Sequence, residues 1–326
     1  MNSPDLHLIN TAKPEGFSVK PSSASARLQV VTLSRETIAA FKNKCEDFSV
    51  QALEYKPFLR FAIAETLNEL TKFTLGETLN SIVKSRETGA FLLEYEGQPT
   101  TPEEAYETGD FHVQLSTAIS HIVGLPNHDA MMNKYYARFT VENKDNSDSY
   151  LRQAHRRMEL HNDGTYVDEK TDFVLMTKMA EENMEGGDSL ILHLDDWEEL
   201  DKFYNHPLAK QDMQWGSPPS KNSPTKVYHP VFLDEDIDGD NYSDNKVGPR
   251  LSFIDQFVEP QNREQGLYLY EMGKSLEADT NCISVRVDVG SMLVLQNNIW
   301  LHGRDKFVAN EGLRRELLRQ RGHFTN

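Results

Sequence analysis

The chain has 326 residues, with 34 Lys plus Arg against 51 Asp plus Glu, a formal charge of −17 and a pI near 5.1. A chain this long buries a substantial core without metal or disulfide staples, and its long-range negative field argues against nucleic-acid or anionic-membrane partners. Cys45 and Cys282 have no Cys-x-x-Cys partner, so neither a disulfide framework nor a thiolate zinc site is expected, and a reducing cytoplasmic setting suits them.

Residues 1–27 lack the apolar core of a secretory signal and read as a flexible leader, and nowhere do about 18 apolar residues run together to span a bilayer. One domain is expected over 28–326, helical over about 34–125 and β-rich from about 135. Leu28–Leu33 predicts a strand, and Ser34 caps a helix to about Asp47 whose apolar face is Ile38, Ala39, Phe41 and Cys45. Leu59, Phe61, Leu67, Leu70, Phe73 and Leu75 continue a helical pattern over 57–85, with a break at Gly76. After a strand at Ala90–Tyr95, Thr101-Pro102-Glu103-Glu104 supplies an N-cap, a first-turn proline and a capping-box glutamate for a helix to Val123, interrupted near Gly109. His112 and His121 on that helix read as core residues rather than ligands.

From Tyr135 the texture changes to short β-rich segments: 135–141, 172–179, 189–193, 227–232, 251–257, 283–287, 292–296 and 313–324. Many short strands separated by turn residues suggest a sandwich, jelly roll or barrel, in which residues distant in sequence meet at one mouth. Asp234-x-Asp236-x-Asp238-Gly239-Asp240 matches the first half of a calcium loop, but Asn245 stands where the bidentate glutamate belongs and strands flank the segment. The acidic stretch 234–245 therefore reads as a solvated hairpin insertion.

A histidine and a carboxylate two apart on an extended chain point to the same side and can share a metal. The pattern occurs twice. His193-Leu194-Asp195 leads into Asp196-Trp197-Glu198-Glu199, where an aspartate capping a helix explains the carboxylate. His161-Asn162-Asp163 lies instead at a strand end or loop that feeds a sheet, and His302 is the candidate third ligand. Two histidines and a carboxylate on one face of Fe(II) leave positions open for a co-substrate and oxygen. Arg315, Arg319 and Arg321 are even numbers apart, so on a regular strand all three face one side. Arg156 and Arg157 read as a solvated pair.

The order His161-x-Asp163, Gly186-Gly187-Asp188-Ser189, His302 and then basic residues on the last strand resembles the Fe(II)/2-oxoglutarate dioxygenases of the taurine-dioxygenase and clavaminate-synthase type. Segments 51–56, 135–139, 145–153, 158–166 and 313–317 are further similar to the glutarate 2-hydroxylase (carbon-starvation-induced) family, over about residues 50–325. The resemblance implies an α+β chain built on a double-stranded β-helix, or jelly roll, with flanking helices. It also implies conversion of glutarate, 2-oxoglutarate and O2 to L-2-hydroxyglutarate, succinate and CO2 by a cytoplasmic homotetramer in lysine and glutarate breakdown.

Residue by residue, the resemblance implies His161, Asp163 and His302 as Fe(II) ligands and Ser189 on the co-substrate carboxylate. Arg321 or Arg315 would bind 2-oxoglutarate and Arg319 glutarate, with Tyr136 and Arg138 lining the pocket. Three alternatives stay open on the residues alone. One is the same fold acting on another small dicarboxylate, the second a non-oxidative β-barrel metalloenzyme using zinc or manganese, and the third a calcium-binding or interaction protein organised on 234–245.

Overall fold

A computed structural model describes residues 14–142, 156–216, 226–233 and 248–325. The first third carries β1 (Phe17–Pro21), β2 (Leu28–Leu33), α1 (Arg35–Cys45), α2 (Val50–Tyr55), α3 (Phe58–Leu70), α4 (Thr74–Lys84), β3 (Ala90–Tyr95), α5 (Pro102–Glu107) and α6 (Gly109–Val123). Next come β4 (Gly124–Pro126), β5 (Ala137–Glu142), β6 (Met158–His161), β7 (Phe173–Glu182), β8 (Ser189–His193), α7 (Leu200–Tyr204), β9 (Met213–Gly216), β10 (Lys226–His229) and β11 (Phe232–Leu233). The chain closes with β12 (Arg250–Leu251), β13 (Val258–Glu259), α8 (Arg263–Ala278), β14 (Ile283–Val285), β15 (Met292–Gln296), β16 (Trp300–Arg304) and β17 (Arg314–Phe324).

Two sheets form the jelly roll. The larger runs β1-β2-β3-β15-β7-β17-β4, with β5 also on β17, and the smaller runs β14-β8-β16-β6. Strand periodicity sorts their side chains into layers. On β15, Met292 and Val294 join Phe91, Leu93, Phe173 and Leu175 in a core shared with α1, α3, α4 and α6. The alternate residues Leu293 and Leu295 face the other sheet and meet Ile191, Val285 and Trp300. Outside the smaller sheet, Leu160, Leu192 and Leu301 pack with Trp197, Trp215 and the Tyr268–Leu276 face of α8. A sheet buried on both faces reads as a nearly continuous apolar run, which is how β8 (SLILH) and β15 (MLVLQ) read.

The capped elements form as expected. Ser34 accepts from the Thr37 N–H, and Thr101 accepts from that of Glu104. Gly109 starts α6, so the interruption there is real. Other expectations need correction. Within the stretch 1–27 expected as a leader, Phe17–Pro21 is a strand that pairs antiparallel with β2, because Phe17 is an apolar anchor buried in the helix-side core. The break after α3 lies at Lys72 and Phe73, both at positive φ, rather than at Gly76, which sits inside α4 against Asn68. Of the expected strand 251–257 only Leu251 is in a strand, at the end of β12; the chain from there to β13 turns into the cavity described below.

The 16-residue α8 was not expected. Its apolar face, Tyr268, Leu269, Met272 and Leu276, is diluted by Gly266, Gly273 and polar neighbours. Asp195 caps nothing. His193 Nδ1 accepts from the Asp195 N–H, and the Asp195 carboxylate pairs with Arg86. The acidic stretch 234–245 lies outside the described residues. Its flanks, β11 and β12, do pair antiparallel as strands. Among the described residues no helix is long and apolar enough to cross a membrane.

His112 is wholly buried, its Nε2 hydrogen-bonded to the Tyr95 hydroxyl at 2.8 Å. Burial, then the charge of Lys42, pushes its pKa down to about 4. A histidine depressed in the fold binds its proton first in the unfolded chain, so stability falls as pH drops from about 6.5 towards about 4. His112→Gln should remove part of that slope, up to about 1.4 kcal/mol per pH unit, in urea unfolding measured across this window. An unchanged slope would mean that His112 does not titrate with unfolding.

Candidate metal centre and its cavity

The 161–163 segment is held by the residue between the two candidate ligands. Asn162 is 1% exposed, and its backbone N–H donates to Phe253 O at 2.8 Å while its side-chain oxygen accepts from the Phe253 N–H at 3.0 Å. Its amide nitrogen donates to the carbonyls of Asn297 and Trp300. Asn297 returns the grip: its side chain accepts from the Asp163 N–H and donates to the Asp163 and Thr171 carbonyls, at 2.9–3.0 Å. With Asn162 fixed on one side, His161 and Asp163 must face the other.

Upstream, Glu277 of α8 pairs with Arg157 at 2.8 Å and accepts from the Leu160 N–H at 2.6 Å, tying β6 to the outer layer. Arg157 is therefore an anchor of β6 rather than half of a solvated pair. Gly303 lets β16 approach closely, since a Cβ there would lie 2.6 Å from Met158 O.

β16 brings His302 opposite His161, with ring centroids 4.3 Å apart. Ligand atoms of His161, Asp163 and His302 all lie within 4.8 Å of one another, a spread over which one divalent ion can draw three donors to bonds of about 2 Å. This is the only such group of His, Cys, Asp or Glu among the described residues. His161 Nδ1 lies 2.8 Å from Glu159 O, which fixes the tautomer and turns Nε2 towards an ion. His302 Nδ1 is buried without a hydrogen-bond partner.

Protonation also suits a metal. Burial, then repulsion from His161, pushes His302 down to about 3, so it is neutral at pH 7. Burial opposes ionisation of Asp163, but Arg319, His302, Arg321 and His161 together hold it well below the usual carboxylate range. Two neutral imidazoles and a carboxylate on one side of an ion are a donor set that fits Fe(II) with open positions.

The cluster opens on a cavity walled by Phe139, Val141, Met176, Ile254, Phe257 and Leu317. Two basic groups interrupt this apolar wall. Arg319 pairs with Asp163 at 3.0 Å and with Asp129 at 3.5 Å. Arg304 and Arg315 lie beside Ser189, and both sit over the Phe307 ring, at 4.8 and 5.8 Å. Burial lowers Arg304 to about 10, and burial with repulsion from Arg304 lowers Arg315 to about 9. Two guanidiniums held this dry are costly until an anion joins them.

Of the residues named from sequence, His161, Asp163, His302, Ser189, Arg315 and Arg319 all line this one cavity. Arg321 is 9% exposed and adds to the positive potential at Asp163, but it does not line the cavity wall. Tyr136 and Arg138 are corrections. On β5 it is Phe139 and Val141 that face in, so the even-numbered residues face out. Tyr136 packs with Val113 and Leu318 and bonds Glu54, while Arg138 pairs with Glu316.

Arg304 was missed. Its signal was present, since it lies two residues after His302 on one strand and so shares its face. Met131 and the 254–257 stretch, which line the cavity, and Asp129, which pairs with Arg319, come from loops and carry no such signal.

The family model described as CsiD matches residues 17–324. Glutarate 2-hydroxylase of Pseudomonas putida is 49% identical over 311 residues, 95% of this chain and 91% of that protein. Glutarate 2-hydroxylase of Citrobacter koseri is 49% identical over 314 residues, 96% and 92% of the two chains. Among solved structures, asparagine oxygenase in complex with Fe(II), 2S,3S-3-hydroxyasparagine and succinate aligns with a TM-score of 0.68 at 17% identity, over 90% of this chain and 93% of its own. Non-heme iron oxygenase OrfP with Fe, succinate and (3S)-hydroxy-L-Arg aligns with a TM-score of 0.65 at 14% identity, over 90% and 94%. At these identities the structures bear on the fold, and the fold is that of a jelly-roll oxygenase.

If the Asn162 clamp sets the geometry of the cluster, Asn162→Ala should weaken Fe(II) binding about 10- to 100-fold although all three ligand residues are retained. The check is anaerobic metal titration beside urea unfolding. Parent-like metal affinity in the variant would contradict the clamp.

Proposed function

The chain belongs to the CsiD family, and from that premise we propose that it is a 2-oxoglutarate-dependent dioxygenase hydroxylating glutarate to L-2-hydroxyglutarate, with release of succinate and CO2. The observation that carries this reading is one cavity holding both the His161–Asp163–His302 cluster and two separate basic groups, one for each of two dicarboxylates.

His161, Asp163 and His302 hold the iron. Bound Fe(II) supplies the activation of O2 that couples oxidative decarboxylation of 2-oxoglutarate to hydroxylation of the substrate carbon. Arg315 and Ser189 receive the distal carboxylate of 2-oxoglutarate, the guanidinium through its rigid donor fork and the serine through its hydroxyl. Arg319 receives a glutarate carboxylate. It already bridges Asp163 and Asp129, and its five N–H donors leave room for a third acceptor. Arg321 acts at one remove, by keeping Asp163 ionised.

The apolar walls Phe139, Leu317 and Phe257 exclude water from around the reacting carbon. The sequence resemblance supports a homotetramer in lysine and glutarate breakdown, and the two unbridged cysteines suit a reducing, cytoplasmic setting.

The test is turnover by iron-loaded protein with 2-oxoglutarate, O2 and glutarate. Glutarate-stimulated succinate formation, with 2-hydroxyglutarate in equal amount and the L configuration on chiral separation, is the expected result. Succinate formation indifferent to glutarate but stimulated by another diacid would move the substrate assignment. Arg319→Gln should raise the KM for glutarate about 10- to 100-fold, the loss of one charge-assisted contact, while glutarate-independent decarboxylation of 2-oxoglutarate persists. An unchanged KM would take Arg319 out of the substrate site.

A further inference from the structure

The Gly186-Gly187 pair holds left-handed backbone, with φ of +74° and +71°. It is laced to the segment after β16: the Gly187 N–H donates to Lys306 O, that of Asp305 to Asp188 O and that of Val308 to Glu185 O, each at 2.9 Å. The lacing presses Phe307 against the glycines. A Cβ on Gly187 would lie 2.0 Å from the Phe307 ring, and one on Gly186 would lie 2.4 Å from Lys306 O. Gly187 could not carry a side chain while the ring keeps its place, nor Gly186 while the Lys306 carbonyl keeps its own.

The ring is 4% exposed, packed with Val141, Leu313 and Met184, and lies under the guanidiniums of both Arg304 and Arg315. Arg315 needs such support. Its Nε has no hydrogen-bond partner among the described residues, Arg304 repels it, and the carboxylates of Glu181 and Asp188, which favour its charge, are both shared with Arg286. The attractive face of an aromatic ring under two desolvated cations offsets their mutual repulsion and limits the swing of each planar group.

We propose that Phe307 is a positioning residue for the co-substrate, holding Arg315 and Arg304 in the orientation that receives the distal carboxylate, and that Gly187 serves to admit its ring. This rests on the reading that Arg315 and Ser189 bind 2-oxoglutarate. It gives Gly187 a role in co-substrate affinity without contact with the ligand.

The test compares full-length, iron-loaded Phe307→Leu, Phe307→Tyr, Gly187→Ala, Gly187→Ala/Phe307→Leu and Arg315→Gln proteins. Phe307→Leu keeps apolar bulk but loses the ring face. It should raise the KM for 2-oxoglutarate about five- to tenfold, with kcat at saturation and the KM for glutarate within about twofold of parent. Phe307→Tyr keeps the face and should restore the parent KM. Alanine at the left-handed Gly187 position carries its own backbone strain in single and double variant alike, so the comparison is made on the KM for 2-oxoglutarate: Gly187→Ala should raise it as Phe307→Leu does, and the double variant should raise it no further than the worse single one, since the clash partner is gone.

An unchanged 2-oxoglutarate KM in Phe307→Leu, alongside a raised one in Arg315→Gln, overturns the inference alone. An unchanged KM in Arg315→Gln overturns the co-substrate assignment beneath it. Equal loss of kcat, both KM values and Tm in the Leu and Tyr variants alike would make Phe307 a packing residue and likewise overturn the inference.

Discussion

The site depends on the hydrogen-bond exchange between Asn162 and Asn297. An amide buried to 1% exposure has to find partners: Asn162 finds them in the backbone of Asn297, Trp300 and Phe253, and Asn297 in the backbone of Asp163 and Thr171. The exchange locks 297–300, which leads into His302, to the segment that carries His161 and Asp163. Ligands 139 residues apart in sequence (302 − 163 = 139) thus meet with little freedom. Metal geometry is fixed by a side chain that points away from the metal.

Charge is arranged on the same logic of burial. The chain carries −17 overall, yet its cavity holds Arg304, Arg315 and Arg319. Acidity outside and cations inside let the protein bind small dianions while repelling polyanions at long range. Within the cavity the cations are handled differently. Arg319 is held by Asp129 and Asp163, whereas Arg315 rests on an aromatic ring beside a like charge. The less satisfied cation gains more from an incoming carboxylate, which is where a co-substrate should be held most tightly.

Much of this was legible in the sequence where local physics decides. Helix caps at Ser34 and Thr101, the alternation on β15 and the even spacing of Arg315 and Arg319 each translate directly into structure. The metal cluster was legible because two residues of spacing on extended chain fixes a common side. The same rule applies to Arg304, two residues after His302 on β16.

Tyr136 and Arg138 show the opposite limit. The β5 strand was expected, but which of its faces points inward depends on register with β17, a long-range fact. Helix α8 was hidden by a weakly amphipathic pattern, and Phe307 by the fact that a ring seated on Gly187 is a contact between distant segments.

The most direct test of the central claim is anaerobic. Fe(II) is added to the purified apoprotein and 2-oxoglutarate is titrated while the visible charge-transfer absorption of the metal–keto acid chelate is recorded. The account predicts a saturable band at one equivalent of iron, absent in His161→Ala protein that is folded by circular dichroism. A folded, iron-loaded parent protein showing no band at saturating 2-oxoglutarate would contradict it.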